Sequence, residues 1–417
     1  MMHVALLGFG VVGGGVADVL TKNAETIARK TGEHINIKYI LDLREFPDHP
    51  LGNRVVHDID VILRDPEVSV VAEMMGGSHP AYDFSLKALK AGKHVVTSNK
   101  EVVSRFGAEL LRTAEENGVR YLFEASVGGG IPVIRPISSC LAANEIFEVD
   151  GILNGTTNYI FTRMDRAGLS LEDALKEAQE KGYAERNPAA DVEGVDACRK
   201  ICILSALAFG RSFSPEDVHT EGITAVTAED VADAAKVGGA VKLLGRTGLC
   251  DPADPASPVF MLVAPHVVPN ESPLSNVHDV FNAIMVRGNA VGDVMFYGRG
   301  AGNLPTASAV VADMIEILSH KNTDVFTPAW ATAGADQLAS VETLPYAFMV
   351  RIAADVSYDD AAAAVRRAFP GVLLLTHADD YAGTLSFVTP VTNEKDCRAA
   401  CAGTGLGEIR SLLRVLP

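Results

Sequence analysis

The feature that most constrains the fold is a glycine pattern near the start of the chain. A short apolar run, His3 to Leu7, precedes the pattern, and a helical pattern follows it to about Arg29. Such a strand, turn and helix let the backbone approach a pyrophosphate, and the free N–H groups at the helix N-terminus attract phosphate. The sequence therefore predicts a dinucleotide-binding turn formed by Gly8, Phe9, Gly10, Val11, Val12 and Gly13.

Alternating strand and helix patterns continue after this turn. The predicted strands lie at 35–41, 68–75, 93–97 and 120–124, and the predicted helices at 79–91 and 106–117. This alternation is typical of a parallel, doubly wound sheet. We therefore expect an α/β fold in which residues 1–135 form a Rossmann-type dinucleotide-binding domain, completed by a helix at 303–320.

The rest of the sequence mixes strand patterns, such as the one at 259–268, with helix patterns, and lacks this alternation. We expect an α+β domain for substrate binding and dimerisation at 136–302, and a linker at 321–345. Residues 346–417 follow the order strand (347–353), helix (358–369), strand (372–377), strand (384–390), helix (394–402) and strand (409–415). That order predicts a compact ferredoxin-like module.

Composition excludes several classes of partner. The net charge of −17 argues against nucleic acid and anionic membranes, because both require basic surface. No apolar stretch has the length and low charge of a membrane span, and the N-terminus lacks a signal-peptide pattern. The 6 cysteines lack metal-ligand spacing, so we expect small buried thiols in a reducing compartment. A cytoplasmic location is therefore predicted.

Polar residues follow several predicted strands, at the sheet edge where open α/β folds bind ligands. Asp42 favours NAD, because a carboxylate there hydrogen-bonds a ribose hydroxyl, whereas Arg44 favours the 2′-phosphate of NADP. The sequence leaves both cofactors open. The other cofactor candidates at this edge are Gly76, Thr97, Ser98 and Lys100.

Residues 124–132 combine a carboxylate, Glu124, with a run of 3 glycines. Exposed carbonyl groups beside a carboxylate suit a hard cation such as Na⁺. The alternative is a plain hinge where the chain passes from one domain to the next. The sequence favours neither.

The segment 182–200 carries the densest group of candidate catalytic side chains. Glu185 and Asp191 lie in a predicted loop, and Asp196 and Lys200 share one face of the following helix, with Cβ atoms about 5–6 Å apart. Such a pair is often an exposed salt bridge. The apolar run after Lys200 instead favours an interior helix, where the lysine would give a proton to a carbonyl oxygen and the carboxylates would hold an ammonium group.

A second candidate substrate contact lies at Gly155 and Thr156, between a predicted strand and a predicted helix. The helix N-terminus and the polar side chains there suit a substrate carboxylate. Simple capping of the helix is the alternative.

Taken in order, these motifs resemble the homoserine dehydrogenase family. The resemblance covers residues 1 to about 320 and rests on GFGVVG at 8–13, TSNK at 97–100, EASVGGGIP at 124–132, LNGTTNYI at 153–160, GYAE at 182–185 and DVEGVDACRK at 191–200. The family reduces L-aspartate 4-semialdehyde to L-homoserine with NAD(P)H, on the way to threonine, methionine and isoleucine. The resemblance implies an oxidoreductase acting on these small molecules, with NADP slightly favoured as cofactor.

The resemblance also implies roles for individual residues. Lys200 would be the proton donor to the aldehyde oxygen, and Lys100 would contact cofactor and substrate. Glu185 and Asp196 would hold the ammonium and hydroxyl ends of the substrate. The remaining implied contacts are Gly182, Glu185 and Gly302 in the cofactor crevice, and Glu124 with the carbonyls of Val127, Gly129 and Ile131 at a Na⁺ site.

The C-terminal module resembles ACT-type regulatory domains, which bind amino acids, so threonine is the expected effector. Such domains often carry Asp-x-Pro-Gly-Val-Leu, whose glycine lets the backbone approach the effector. This chain has Asp355-Val-Ser-Tyr-Asp-Asp360 instead. A role in homodimer or homotetramer contacts is therefore the alternative.

Two other functions remain open on sequence alone. An acylating semialdehyde dehydrogenase would use Cys140 as its nucleophile. A nucleotide-sensing regulator without catalysis would have no need of Glu185, Asp196 and Lys200. The presence of all three side chains favours the dehydrogenase.

Overall fold

The computed structural model describes residues 1–320 and 330–417. Its strands are β1 (Met2–Leu7), β2 (Ile35–Leu41), β3 (Val55–Val56), β4 (Val68–Glu73), β5 (His94–Thr97), β6 (Tyr121–Leu122), β7 (Ile146–Ile152), β8 (Arg211–Ser212), β9 (His219–Thr220), β10 (Gly239–Leu249), β11 (Val259–Pro269), β12 (Phe281–Gly288), β13 (Gly292–Arg299), β14 (Ala331–Thr332), β15 (Ala347–Ala353), β16 (Leu373–Leu374), β17 (Thr384–Val388) and β18 (Ile409–Val415). Its α-helices are α1 (Val11–Lys22), α2 (Ala24–Thr31), α3 (Ile59–Arg64), α4 (Ala81–Lys90), α5 (Lys100–Glu116), α6 (Gly155–Ala167), α7 (Leu171–Glu180), α8 (Ala189–Val192), α9 (Val195–Phe209), α10 (Ala228–Lys236), α11 (Asn303–Ser319), α12 (Tyr358–Ala368) and α13 (Glu394–Gly403).

The chain divides into two compact units, each assembled from three stretches. The first unit contains Met1–Val149, Cys202–Asp217 and Val286–Gly334, and the second contains Asp150–Ile201, Val218–Met285 and Ala335–Pro417. Of the linker predicted at 321–345, residues 321–329 lie outside the described part of the chain. In its described remainder, the side chains of Trp330 and Val341 are buried. The domain boundaries given above stay a prediction.

The first unit is built around a parallel sheet with strand order β3-β2-β1-β4-β5-β6. Its central strands β1 and β4 are buried along almost their whole length. Strands covered on both faces are nearly continuous apolar runs, which is why the sequence pattern identifies them. The chain order reverses between β1 and β4, and doubly wound sheets bind ligands at the carboxyl ends beside such a point. The predicted Rossmann-type sheet is confirmed.

Helix α11 packs against α1 within this unit. Val310 and Met314 share a hydrophobic core with Val16 of α1. A Cβ atom at Gly15 would lie 1.9 Å from the Oδ1 atom of Asn303. Glycine at this position therefore lets the two helices approach closely.

The second unit is built around a mixed sheet whose strands follow the order β12-β7-β10-β11-β18-β15-β17-β16. Strands β10 and β11 are antiparallel, from Gly239 opposite Pro269 to Leu249 opposite Val259. The sequence analysis predicted β11 but assigned no element to β10. Nearly every residue of β10 is buried, so it lacks the alternation of apolar and polar residues that marks a half-exposed strand.

The element order predicted for the C-terminal part is observed. Strands β15 and β18 begin and end where the sequence predicts, whereas β16 is only two residues long. Phe348, Phe387 and Cys397 form the centre of its core. Strand β18 runs parallel to β11, with Arg414 opposite His266, so this module extends the mixed sheet of the second unit.

The cysteines differ in their exposure to solvent. Cys198, Cys202, Cys397 and Cys401 are buried free thiols, but Cys140 and Cys250 are exposed, so the expectation of burial is wrong for those two. Within the described ranges, none of the helices has both the length and the hydropathy of a membrane span.

Candidate active site

The predicted dinucleotide turn has the geometry that its glycines require. Gly8 has a φ angle of +89°, and a Cβ atom there would lie 3.0 Å from the carbonyl oxygen of Met74. A Cβ atom at Gly13 would lie 2.2 Å from the carbonyl oxygen of Gly8. Gly10 precedes α1 and has open space where a side chain would project. The first N–H groups of α1 therefore border a region that a phosphate can enter.

Asp42 connects this turn to Arg44. Its Oδ2 atom accepts a hydrogen bond from the Phe9 amide at 2.8 Å, and the Arg44 guanidinium donates to both carboxylate oxygens at 2.9 Å. The hydrogen bond from the Arg44 side chain holds the pKa of Asp42 well below its usual range. The carboxylate that favours NAD and the cation that favours NADP are thus paired with each other.

A cleft of about 510 Å³ opens beside this pair. The predicted residues that line it are Gly8, Gly10, Asp42, Arg44 and Gly76. The lining residues that the sequence analysis did not single out are Leu41, Leu43, His57, Met74, Met75, Pro80 and Phe84. Largely apolar walls with a few polar groups are typical of cofactor sites. Cofactor contacts for the other candidates of this unit, Phe9, Val11, Val12, Gly13, Thr97, Ser98, Lys100 and Gly302, stay predictions.

His57 adds a titratable imidazole to this cleft. Its Nδ1 atom lies 2.7 Å from the Asp42 carbonyl oxygen, and its Nε2 atom lies 2.7 Å from Oε1 of Glu45. The hydrogen bond to Glu45 raises the pKa of His57 above its usual value. The sequence analysis did not single out His57, because this residue is brought to Asp42 by the pairing of β2 with β3.

Glu73 is a buried carboxylate that the sequence analysis missed. It ends β4 without exposed surface and accepts hydrogen bonds from the Met75 amide and the Thr97 hydroxyl, both at 2.7 Å. Burial raises the pKa of Glu73 above its usual value. Through these bonds Glu73 ties together the ends of β4 and β5, the two strand ends that carry predicted cofactor residues. An acidic residue directly after an apolar run was the available signal.

Lys100 is the first residue of α5, whereas the sequence predicted a loop before a helix at 106–117. The Asn99 side chain accepts hydrogen bonds from the Glu101 and Val102 amides and so caps this helix. Its Nδ2 atom donates to the Gly77 carbonyl at 2.8 Å. The predicted helix start is wrong because this cap, and not the apolar periodicity, determines where the helix begins.

Glu124 uses its carboxylate to organise the backbone that follows it. It accepts hydrogen bonds from the amides of Val133, Ile134 and Arg135 at 2.6, 2.8 and 2.8 Å. Its own amide donates to Asp313 at 2.9 Å, and Asp313 pairs with the Arg135 guanidinium at 2.7 Å. Burial, together with the Glu124 charge, raises the pKa of Asp313 to about 7.

The other predicted cation ligands lie in the same loop. Gly129 has a φ angle of +56°, and a Cβ atom there would lie 2.4 Å from the Gly300 carbonyl oxygen. In the turns, loops and caps of the described chain, no main-chain hydrogen bond is donated to the carbonyls of Val127, Gly129 or Ile131. Carbonyl oxygens without such donors are the ligands that a hard cation takes, so these residues fit Na⁺.

The predicted catalytic lysine is buried beside a carboxylate. Lys200 and Asp196 lie on α9, and each side chain is 7% exposed. The Nζ atom of Lys200 donates to Oδ2 of Asp196 at 2.8 Å and to the Leu153 carbonyl at 2.7 Å. Burial excludes the alternative of an exposed helix salt bridge.

Asn154 joins this pair to the preceding loop. Its Nδ2 atom donates to Asp191 at 2.8 Å and to Asp196 at 2.9 Å, and its Oδ1 atom accepts from the Thr157 amide at 2.9 Å. The structure therefore brings Asp191, Asp196 and Lys200 together around one amide side chain. In the sequence analysis Asn154 appears only as part of the motif at 153–160.

The remaining substrate candidates lie at the start of α6 and in the loop 182–185. Gly155 is the first residue of α6, and the Thr156 hydroxyl donates to the Tyr183 carbonyl at 2.7 Å. Gly182 has a φ angle of +74°, and Glu185 is exposed. The Thr156 contact therefore brings these two segments together, while their ligand contacts stay predictions.

Comparison with known proteins identifies the family. The family model for the NAD-binding domain of homoserine dehydrogenase matches residues 8–124, and the homoserine dehydrogenase model matches residues 132–315. The homoserine dehydrogenase of Bacillus subtilis (strain 168) is 40% identical over 325 residues, which are 76% of this chain and 73% of that protein. That of Pseudomonas aeruginosa is 42% identical over 324 residues, 78% of this chain and 74% of that protein.

Solved structures agree with this assignment. The crystal structure of a homoserine dehydrogenase from Thiobacillus denitrificans has a TM-score of 0.88 and 35% identity, covering 100% of this chain and 98% of its own. A hyperthermophilic archaeal homoserine dehydrogenase mutant in complex with NADPH has a TM-score of 0.65 and 25% identity, covering 78% of this chain and 99% of its own. These relatives favour the dehydrogenase over a Cys140 nucleophile or a non-catalytic regulator. The chain therefore belongs to the homoserine dehydrogenase family, oxidoreductases with an NAD-binding domain.

Proposed function

We propose that Lys200 is the proton donor when this enzyme interconverts L-aspartate 4-semialdehyde and L-homoserine. The observation that carries the proposal is the buried pair in which Nζ of Lys200 lies 2.8 Å from Oδ2 of Asp196. An ammonium group held in one orientation can deliver a proton to an aldehyde oxygen as negative charge develops there. When bound, the nicotinamide cofactor supplies or accepts the hydride.

The two ends of the substrate are assigned to the two sides of this cluster. Asp191, Asp196 and Glu185 carry the negative charge that suits the substrate ammonium, and Asp196 also suits the hydroxyl. The N–H groups of Gly155 and Thr156, at the start of α6, suit the substrate carboxylate because a helix N-terminus attracts anions. The support for this assignment is the Asn154 side chain, which contacts Asp191 and Asp196 while it caps α6.

For the cofactor, we propose that both NAD and NADP bind, with NADP slightly preferred. The support is that Arg44 and His57 both line the cleft, and that the hydrogen bond to Glu45 raises the pKa of His57 above its usual value and so favours its protonated form. A 2′-phosphate would draw the Arg44 guanidinium from Asp42 by offering it paired oxygens. With NAD, Asp42 would instead accept a hydrogen bond from a ribose hydroxyl. The archaeal relative that contains NADPH is consistent with this preference. Lys100 is assigned to the nicotinamide end.

We further propose a structural Na⁺ at the loop 124–131. The carbonyls of Val127, Gly129 and Ile131 would be its ligands, together with Glu124. The three amide hydrogen bonds to the Glu124 carboxylate would hold this loop in place for the ion. An oxygen ligand set of this kind would serve to order the loop.

The C-terminal module is proposed to be ACT-like. Its element order and its strand order β18-β15-β17-β16 support that proposal. Inhibition of the enzyme by added threonine would support a regulatory role for the module. Unchanged activity with threonine, but assembly into a homodimer or homotetramer that depends on the module, would support the assembly role.

The proposed mechanism is tested by homoserine oxidation with NAD⁺ and NADP⁺, using Lys200→Met and the control Lys236→Met. Lys236 also contacts an aspartate on its own helix, at 2.8 Å, but its side chain is 49% exposed. We expect Lys200→Met to lower kcat by about 10²- to 10⁴-fold, because general acid catalysis typically contributes that much. Lys236→Met should retain the wild-type kcat. A Lys200→Met enzyme with wild-type kcat, alongside a Cys140→Ser variant without turnover, would contradict the proposal.

A further inference from the structure

A buried arginine connects the C-terminal module to another part of the second unit. Arg414, on β18, is 1% exposed. Its Nη1 atom donates to Oε1 of Glu221 at 2.8 Å, and its Nη2 atom donates to Oε2 of Glu394 at 2.5 Å. Glu394 begins α13 within the module, whereas Glu221 follows β9 outside it. One guanidinium thus binds carboxylates from both parts.

Glu221 is held on several sides, so its position is well defined. Its amide donates to the Val263 carbonyl at 2.7 Å, and its carboxylate lies 2.5 Å from Nε2 of His219. Burial alone would raise the pKa of Glu221, but the contacts with His219 and Arg414 outweigh it and lower that pKa to about 2. The carboxylate is therefore ionised at neutral pH, with Arg414 as a buried counterion.

The backbone after Glu221 packs directly against the loop 191–196. The Ile223 amide donates to the Val192 carbonyl at 2.8 Å. A Cβ atom at Gly222 would lie 2.3 Å from that same carbonyl oxygen, so the two backbones touch without an intervening side chain. Because the contact is backbone to backbone, a shift of residues 221–223 is passed to the loop.

The loop in turn fixes the start of α9. Gly194, with a φ angle of +82°, would place a Cβ atom 3.3 Å from the Glu221 carbonyl oxygen. Its own carbonyl accepts a hydrogen bond from the Cys198 amide at 2.9 Å, within the first turn of α9. Asp196 and Lys200 project from this helix. The contacts therefore form an unbroken series from Arg414 to the candidate catalytic pair.

We propose that Arg414 is a positioning residue for the loop 191–196, acting through Glu221. This inference rests on the proposed roles of Asp191, Asp196 and Lys200. Removing the guanidinium would take away the most buried counterion of Glu221 and Glu394, leaving His219 beside the first and Arg398 beside the second. Breaking a buried ion pair by removing one partner is strongly unfavourable. Glu221, whose side chain is 36% exposed, would move toward water and draw the adjoining backbone away from the loop. The C-terminal module thus supports substrate binding without any effector.

If the ion pairs of Arg414 served only to stabilise the fold, their loss would have a different effect. It would lower the melting temperature of the protein without changing the KM for homoserine. A positioning residue raises the KM for homoserine while the KM for the cofactor stays the same, because the residues of this series of contacts do not include those that line the cofactor cleft. The ratio of the two KM values therefore separates the roles.

The test uses the full chain with Arg414→Met, Arg414→Lys and Glu221→Gln, and Arg410→Met as the matched control. Arg410 lies on the same strand, is 56% exposed and contacts Glu408 only at 3.5 Å. We expect Arg414→Met to raise the KM for homoserine about 3- to 30-fold, with the cofactor KM changed by less than about twofold. Arg414→Lys should lie between this variant and wild type, because it keeps the charge, and Arg410→Met should match wild type.

A lowered melting temperature with an unchanged homoserine KM in Arg414→Met would overturn the proposal. If that variant does not fold, the homoserine KM of Glu221→Gln provides the test instead, because this substitution keeps the side-chain shape and removes only the charge. A raised homoserine KM in Glu221→Gln supports the positioning role, and an unchanged KM overturns it. Failure of the proposed mechanism itself would look different, because Lys200→Met would then keep the wild-type kcat.

Discussion

At the scale of single residues, the candidate site consists of charged groups whose partners come from distant parts of the sequence. The spacing of Asp196 and Lys200 predicts their contact, because residues four apart share a helix face. No spacing rule predicts that the Asn154 side chain donates hydrogen bonds to both Asp191 and Asp196, or that Glu73 accepts a hydrogen bond from the Thr97 hydroxyl. Those contacts depend on which strands are neighbours, and only the folded chain determines that.

Arg44 gives the residue-scale prediction for the cofactor. We expect Arg44→Ala to raise the KM for NADP⁺ about 10-fold or more, since a hydrogen bond to a charged group contributes about 1.5–3 kcal/mol. The KM for NAD⁺ should stay the same or fall, because Asp42 is released to the ribose. Steady-state kinetics with both cofactors measures this, and Arg64→Ala, an exposed arginine paired with Asp60 at 2.8 Å, is the control. Equal losses with both cofactors would refute the assignment of Arg44 to the 2′-phosphate.

At the scale of elements, the accuracy of prediction depended on how much of each element is exposed to solvent and on how clearly the sequence marks its ends. Strands β15 and β18 were predicted to the residue, since turn-forming residues such as Pro345 and Gly407 precede them. Strand β10 was missed, because its buried, glycine-containing sequence carries no alternation. Helix α5 was predicted too short, because its first turn is fixed by the Asn99 cap and not by apolar periodicity.

Helix α11 gives a prediction about pH. Burial and the Glu124 charge raise the pKa of Asp313 to about 7, while a carboxyl in an unfolded chain titrates near about 3.9. The folded state therefore binds this proton more tightly, and the free energy of unfolding falls as pH rises from about 4 to 7 and levels off above. Asp313→Asn removes this dependence.

Urea unfolding of Asp313→Asn and wild type between about pH 5 and pH 8 measures the effect. The free energy of unfolding of the variant, minus that of wild type, should increase across this range by no more than about 3 kcal/mol, because about two pH units of the range lie below the folded pKa and each contributes about 1.36 kcal/mol. A difference that does not vary with pH would show that Asp313 titrates normally.

At the scale of the whole molecule, the C-terminal module is part of the second unit and not an appendage. Strand β18 continues the sheet from β11, and the Leu416 amide donates to the Val267 carbonyl at 2.9 Å. The sequence predicted the elements of this module but not their attachment. Parallel pairing of strands so far apart in sequence leaves no local pattern that could be recognised.

Truncation before β15 tests this integration. A chain ending at Leu344 would remove β18 from His266 and Val267 of β11 and would leave Glu221 without Arg414. We expect such a protein to aggregate, because exposed strand edges pair with other chains. Size-exclusion chromatography with light scattering provides the measurement. A monodisperse truncated enzyme with the wild-type homoserine KM would show that the module is dispensable.

Each unit is assembled from three separate stretches of chain, and this has a practical consequence for anyone who dissects or recombines the protein. No single protease cut can release either unit intact, since every cut leaves part of one unit attached to part of the other. A chimera that borrows the dinucleotide-binding unit of a relative must exchange all three of its segments together. Gene fusions joined at one crossover point would instead combine fragments of both.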